Sequence, residues 1–332
     1  MTYSVGGKIQ ASDYNGWIST SANNVNKIWG AGTGNYGYGQ TSINTVAGGS
    51  ASPTKIKAGT TGAGTAGEYW YQLLNKISAM ASHQGSTITS QAVPVAGDKI
   101  TYVSALPTNI DTITNNRLNA AAQGASSSHQ HTNTVTWNDS LTFTATITFA
   151  SAAHARYYFN AGGQIGVQSS HSSINNINQV VNLLAVNMGT VWFSSPIGAN
   201  TATINGSTWT GVTRVANPLE QASTITQNNT WGFYNWNSTD TQVLRVEEDT
   251  YYYHAYGNDS YAAVYVSYNG ATTATIKVVF DLRPDSPTIP PTVASGTSAT
   301  IILRPPTTTH LSTAGGSNTW GTPSVSWTST TA

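Results

Sequence analysis

Leu141-Thr142-Phe143-Thr144-Ala145-Thr146-Ile147-Thr148-Phe149 alternates apolar residues with threonine without a fault. Successive side chains of an extended chain point to opposite faces, so this period of two predicts a strand with one face in a core and the other carrying hydroxyls. Strands of the same kind are expected at Tyr157–Val167, Gln242–Glu247, Tyr251–Tyr256, Tyr261–Tyr268, Thr272–Asp281 and Ala299–Leu303, separated by Gly, Asn, Asp and Pro. Short strands at this spacing predict an antiparallel β-sandwich. Ser173–Val186 is the exception, because Ile174, Ile177, Val180, Val181 and Leu184 recur at helical spacing, which predicts one helix over an end of the sheet. Pro284, Pro287, Pro290 and Pro291 cannot donate ladder hydrogen bonds and mark a connector or an edge.

Upstream of the polar stretch Ala125-Ser126-Ser127-Ser128 the pattern is helical. Ser12 or Asp13 can cap a helix that places Tyr14, Trp17, Ile18, Val25 and Ile28 on one stripe and ends at Gly30. Glu68 to Ser82 carries Trp70, Leu73, Leu74, Ile77 and Met80 on one face, and a shorter helix is expected from Asn109 to Ala122 after a turn at Pro107. Between Gly30 and Gly67 the Gly, Thr and Ser content forbids a regular helix and predicts an ordered loop pinned by its tyrosines. The expected organisation is therefore α+β, mainly β: a helix-containing docking domain over 1–125 and a β-rich domain over 126–332.

Composition narrows the function. Only 8% of the 332 residues are charged, where a soluble protein carries roughly a quarter, and the surface must be wetted by Thr, Ser, Asn and Gly instead. Thirteen basic and thirteen acidic residues cancel, so no long-range field gathers nucleic acid or anionic lipid, and no self-repulsion keeps copies apart. Ten Trp and 17 Tyr are too many for a disordered chain. With no cysteine, stability rests on packing, sheet hydrogen bonds and subunit interfaces, and a homo-oligomer is expected. The first residues lack the basic-then-apolar pattern of a signal peptide, and no apolar run is long enough for a membrane helix, so neither export by that route nor membrane insertion is expected.

Candidate chemistry is sparse. Gly32 to Gly39 has no Gly-Lys-Ser/Thr ending and no strand-loop-helix setting for a phosphate. His129 and His131 share a face of an extended chain, and three copies about an axis would offer six imidazoles to a metal; without carboxylate support they read first as ordinary residues of a solvated linker. Glu247, Glu248, Asp249 and Asp259 form the densest acidic group, and with Glu220 and Asp240 they raise the possibility of a glycosidase pair, although Glu-Glu-Asp at a strand end is usually a solvated turn. No serine elbow and no thiol nucleophile exist. Trp231, Phe233, Tyr234, Trp236 and the tyrosines from 251 to 268 can stack on sugars, but such rings more often supply core and interface area. No catalytic, cofactor-binding or metal residue is assigned.

One stretch carries a likeness. Ala155-Arg156-Tyr157-Tyr158-Phe159-Asn160-Ala161-Gly162-Gly163-Gln164-Ile165 resembles a segment of virion structural proteins of tailed bacteriophages, especially cyanobacterial ones. Gly7-x-Ile9, Ala11-x-Asp13-Tyr14-Asn15, Gly34-Asn35-x-Gly37-Tyr38-Gly39-Gln40 and His83-Gln84-Gly85 are similar to the same family. The resemblance implies a tail-associated virion component, such as a baseplate, fibre or neck protein, assembled in the host cytoplasm with other virion proteins as partners. It carries no functional residue with it. Physically, Tyr158 and Ile165 are expected in the sheet with a turn or bulge at Gly162-Gly163, and Asn160 capping freed backbone groups. Two other readings stand beside this one: a receptor-binding module holding a host surface glycan in a shallow aromatic groove, and a glycan-degrading enzyme with two acids facing one cleft.

Overall fold

The computed structural model describes residues 11–19, 24–43, 66–92, 105–173, 177–221, 223–248, 260–283, 292–311 and 320–332. The fold is mixed α+β and mainly strands: N-terminal helices precede two antiparallel sheets packed together with a helix. The expected strand Tyr251–Tyr256 and the proline-rich segment 284–291 lie outside the described residues.

Four helices come first: α1 (Ala11–Ile18), α2 (Val25–Trp29), α3 (Ala66–Gln84) and α4 (Ala105–Asn115). The single helix expected from Ser12 to Ile28 is two, α1 and α2. Residues 20–23 between them lie outside the described residues, and Asn24 is extended where α2 begins. Gly30 closes α2 as expected, its N–H bonding Asn26 O. Helix α3 runs two residues further at each end than the apolar stripe suggested. It stops at Gly85, which takes φ +65° while the Ser86 N–H reaches back to Ala81 O at 2.8 Å, satisfying a terminal carbonyl. Pro107 lies inside the first turn of α4, where a missing N–H leaves no bond unmade, so that helix begins and ends earlier than expected.

The five-stranded sheet has the order β1-β12-β3-β4-β7, from β1 (Ser127–Thr132), β3 (Gln164–Ser170), β4 (Thr190–Phe193), β7 (Val212–Val215) and β12 (Ser298–Arg304). The six-stranded sheet has the order β13-β2-β11-β10-β9-β8, from β2 (Ser140–Thr148), β8 (Thr224–Gln227), β9 (Thr241–Glu247), β10 (Tyr261–Tyr268), β11 (Thr273–Asp281) and β13 (Ser324–Thr331). A hairpin of β5 (Ala202–Ile204) and β6 (Ser207–Trp209) stands apart. In β2 the alternation holds throughout: Leu141, Phe143, Ala145 and Ile147 are fully buried between threonines. The polar stretch read as a linker is in part β1, paired residue for residue with β12.

The strand expected at Tyr157–Val167 is corrected. Its first four residues close α5 (Ala152–Asn160), the next three form a turn, and only Gln164–Val167 belong to β3. Ser151 caps α5 by accepting the His154 N–H, the alanines that follow favour helix, and Gly162 at φ +87° turns the chain into the sheet. Tyr158 is accordingly a helix residue, and the β-rich half holds two helices where one was expected. The second, α6 (Ile177–Met188), packs against β3 in one sheet and against β9 and β10 in the other. One continuous cluster of buried side chains runs from Tyr14 through both sheets to Trp320, so the N-terminal helices share the core of the sandwich.

Candidate functional site

Three of the four described stretches that carry the likeness, 34–40, 83–85 and 155–165, meet in space, while Gly7-x-Ile9 lies outside the described residues. Arg156 and Asn160 are one turn apart on α5 and face the loop 31–37. Asn160, 1% exposed, donates from Nδ2 to Tyr36 O at 2.8 Å and Gly37 O at 3.0 Å, and its Oδ1 lies 2.5 Å from the Tyr234 hydroxyl. Arg156 donates from Nη2 to Ala31 O at 2.8 Å and from Nη1 to Gly34 O at 3.2 Å. The amides that follow the loop are spent on α2 and its cap: Tyr38 N–H to Ile28 O, Gly39 N–H to Gly30 O and Gln40 N–H to Trp29 O. Toward α5 the loop presents carbonyls, which is the wrong polarity for a phosphate there. Asn160 does satisfy freed backbone groups, but those of the distant loop.

His83-Gln84-Gly85 closes the arrangement from the other side. The buried His83 ring lies 3.2 Å from Ala161 O through Nε2, which therefore carries the proton, and stacks edge-on against Tyr38 at 5.3 Å. Burial first, and then the nearby His310, push His83 down to about 4, against the raising effect of the Ala161 carbonyl. Gln84 donates to Tyr38 Oη and to Ile113 O, both at 2.9 Å, and the Tyr38 hydroxyl donates to Arg117 O. Burial raises the pKa of Tyr38 and Tyr234, so both hydroxyls stay protonated donors. The ring of Tyr36 meets Lys27 Nζ at 3.8 Å and the Arg117 guanidinium at 4.3 Å from its centroid. Tyr36 and Tyr38 do pin the described part of the loop, up to Ile43; residues 44–65 lie outside the described residues.

A pocket of about 280 Å³ opens beside this knot, lined among others by Asn35, Arg117, Asn119, Pro196, Asn200 and Tyr234. It combines amides and one cation with the apolar side chains of Leu118, Pro196 and Ile197.

The acids considered for glycan hydrolysis are dispersed among the described residues. Glu220 holds Arg214 through two bonds of 2.9 Å, Glu247 pairs with Arg245, and Asp240 pairs with Lys277. Asp240 and Glu247 flank the length of β9, roughly 20 Å of strand, where a glycosidase pair needs about 5–9.5 Å. Glu248 is buried, and Asp249 and Asp259 lie outside the described residues. Phe233 stacks on Phe159 with centroids 4.3 Å apart, and Trp236 packs edge-on against Phe193, so these two rings belong to the core.

His129 and His131 share a face of β1, as alternation requires. That face looks across the sandwich: His131 Nε2 lies 3.1 Å from Ser329 Oγ on β13, and its ring stacks on Trp327 at 6.1 Å. His129 bonds Ser127 Oγ. No group of three potential metal ligands occurs among the described residues, and none of their helices is long and apolar enough to cross a membrane.

Sequence reasoning missed Arg117 and the donor role of Arg156, and it read Tyr234 only as one of several rings able to stack on sugars or pack in a core. The available signal was Ser151 followed by helix-forming alanines, which puts Arg156 and Asn160 on one helical face. No protein-family model matches the chain, and neither curated proteins nor solved structures give a match.

Proposed function

We propose that the chain is a structural, tail-associated component of a tailed-phage virion, a baseplate, fibre or neck protein, that works by protein–protein assembly. The observation that carries this reading is the convergence of 34–40, 83–85 and 155–165 on one knot. Stretches far apart in sequence that resemble one family and also interlock behave as one inherited structural unit. Many of their polar atoms are used on one another, which rigidifies the join between helices and sheets and favours association as the protein's mode of action. The electrically quiet surface and zero net charge favour close packing against other copies and other virion proteins.

A glycan-binding module is the second reading, favoured by the amide-lined pocket at Asn35, Asn119 and Asn200, whose volume is just below the range usual for small-molecule sites. Mixing purified protein with purified particles and imaging them in negative stain tests both. Docking at one tail location supports the assembly reading. Failure to dock, with saturable binding to a glycan array lost in Asn119→Ala, replaces it with the second.

A further inference from the structure

The two sheets end differently on their two flanks. On one side the edges are β7 and β8, each four residues long, and β7 carries the ion-paired Arg214. On the other side the edges are β1, six residues, and β13, eight residues, held beside each other by His131, Trp327 and Ser329. Sheets that stay monomeric blunt their edges with shortness, charge, proline or bulges. Strand β13 has none of these: Ser324 to Thr331 contains no charged residue and no proline, and it pairs with β2 in one unbroken register from Ser324↔Thr148 to Thr331↔Leu141. Among the described residues no strand pairs with its outer edge. Ser326, Thr328 and Thr330 stand exposed along it.

We propose that this edge pairs with β13 of a second copy of the chain, antiparallel about a two-fold axis, joining two six-stranded sheets into one continuous sheet. The inference rests on the assembly reading and names its first partner. A second copy suits the edge better than a foreign strand for two reasons. An antiparallel strand is self-complementary, each residue i meeting j while j meets i. Self-pairing also brings a strand's own charges together, and β13 has none to repel, in a chain whose net charge is zero. Opposed residues share a face, so the axis must fall on a residue. Thr328, the middle of the exposed row, is that residue, with Ser326 opposite Thr330 of the second copy, and facing hydroxyls are favourable cross-strand partners.

Sedimentation velocity on the full chain over a wide concentration range tests this, with Thr328→Lys, Thr328→Glu and, on the opposite flank, Thr226→Lys. Wild type and Thr226→Lys are expected to sediment at twice the mass of one chain. Thr328→Lys alone sets two ammonium groups face to face and weakens the dimer at least about tenfold. An equimolar mixture of the Thr328→Lys and Thr328→Glu proteins restores it, which a misfolded variant cannot do. A wild type that stays monomeric, or an oligomer indifferent to Thr328→Lys, overturns the proposal. A monomer that nonetheless docks on particles overturns it while leaving the assembly reading standing.

Discussion

Asn160 Nδ2 donates to Tyr36 O across 124 positions of sequence at 2.8 Å, and this bond ties the first sheet-side helix to the N-terminal loop. Because Asn160 is buried, removing its amide leaves the Gly37 carbonyl without that donor, the Tyr36 carbonyl with only the 3.4 Å contact from Arg156 Nη1, and the Tyr234 hydroxyl without its Oδ1 acceptor. Each such loss is worth about 1–2 kcal/mol, so Asn160→Ala is expected to lower unfolding free energy by about 2–4 kcal/mol. Asn160→Asp, which aims a carboxylate at the same carbonyls, should be worse. Urea denaturation of the three proteins checks the order; an Asp variant as stable as wild type would contradict the geometry.

His83 sets the acid limit of the fold. Its folded pKa is depressed to about 4 from an ordinary 6.5, so the neutral ring is the stabilising form. That contribution is complete above about pH 6.5 and is lost as pH falls toward 4, where it amounts to about 3 kcal/mol. His83→Gln cannot titrate there, so its stability should fall less steeply between pH 6.5 and 4, as read from denaturant midpoints. Parallel pH profiles for the two proteins would exclude the assignment.

The parts of the fold legible in sequence are those whose local pattern and tertiary environment agree. Strand β2 alternates because one face is buried, and β10, whose first four residues are all buried, matches its expected span to the residue. Tyr157-Tyr158-Phe159 misleads because aromatic residues favour strands, while Ser151 and the alanines decide for helix before the rings are reached. Strand β1 escapes notice because Ser, His, Gln and Thr offer no apolar face, and β13 because only Val325 and Trp327 mark one. The knot was legible as three likenesses but not as one site, since hydrogen bonds spanning up to 126 positions leave no periodic trace.

Gly39 separates conformational strain from collision. It sits at φ +71° and a Cβ would fall inside the Tyr157 ring, whereas Gly34 at φ +55° has nothing near a Cβ. Gly34→Ala should cost only the left-handed backbone, about 1–2 kcal/mol, and Gly39→Ala that plus displacement of the ring, about 2–5 kcal/mol in all. Thermal unfolding of both variants compares them directly. Equal losses would mean that Tyr157 does not pack on the loop.

The ion pair of Asp240 and Lys277 provides the opposite case, a short contact with little effect. The Lys277 hydrogen bond, aided by Ser267, holds the Asp240 carboxyl below the usual carboxylate range. A depressed carboxylate contributes stability above its unfolded pKa and loses it as pH falls through the folded one, so any effect belongs below about pH 4. The Asp240 side chain is 40% exposed, and solvent screening leaves such pairs with less than about 1 kcal/mol. Asp240→Asn should therefore move the unfolding midpoint at pH 7 far less than Asn160→Ala, although the ion pair is the shorter contact. The same substitution bears on the glycan-hydrolysis reading: a protein with glycosidase activity abolished by Asp240→Asn, at unchanged stability, would show that acids separated along β9 converge with others after all, and would displace assembly as the protein's role.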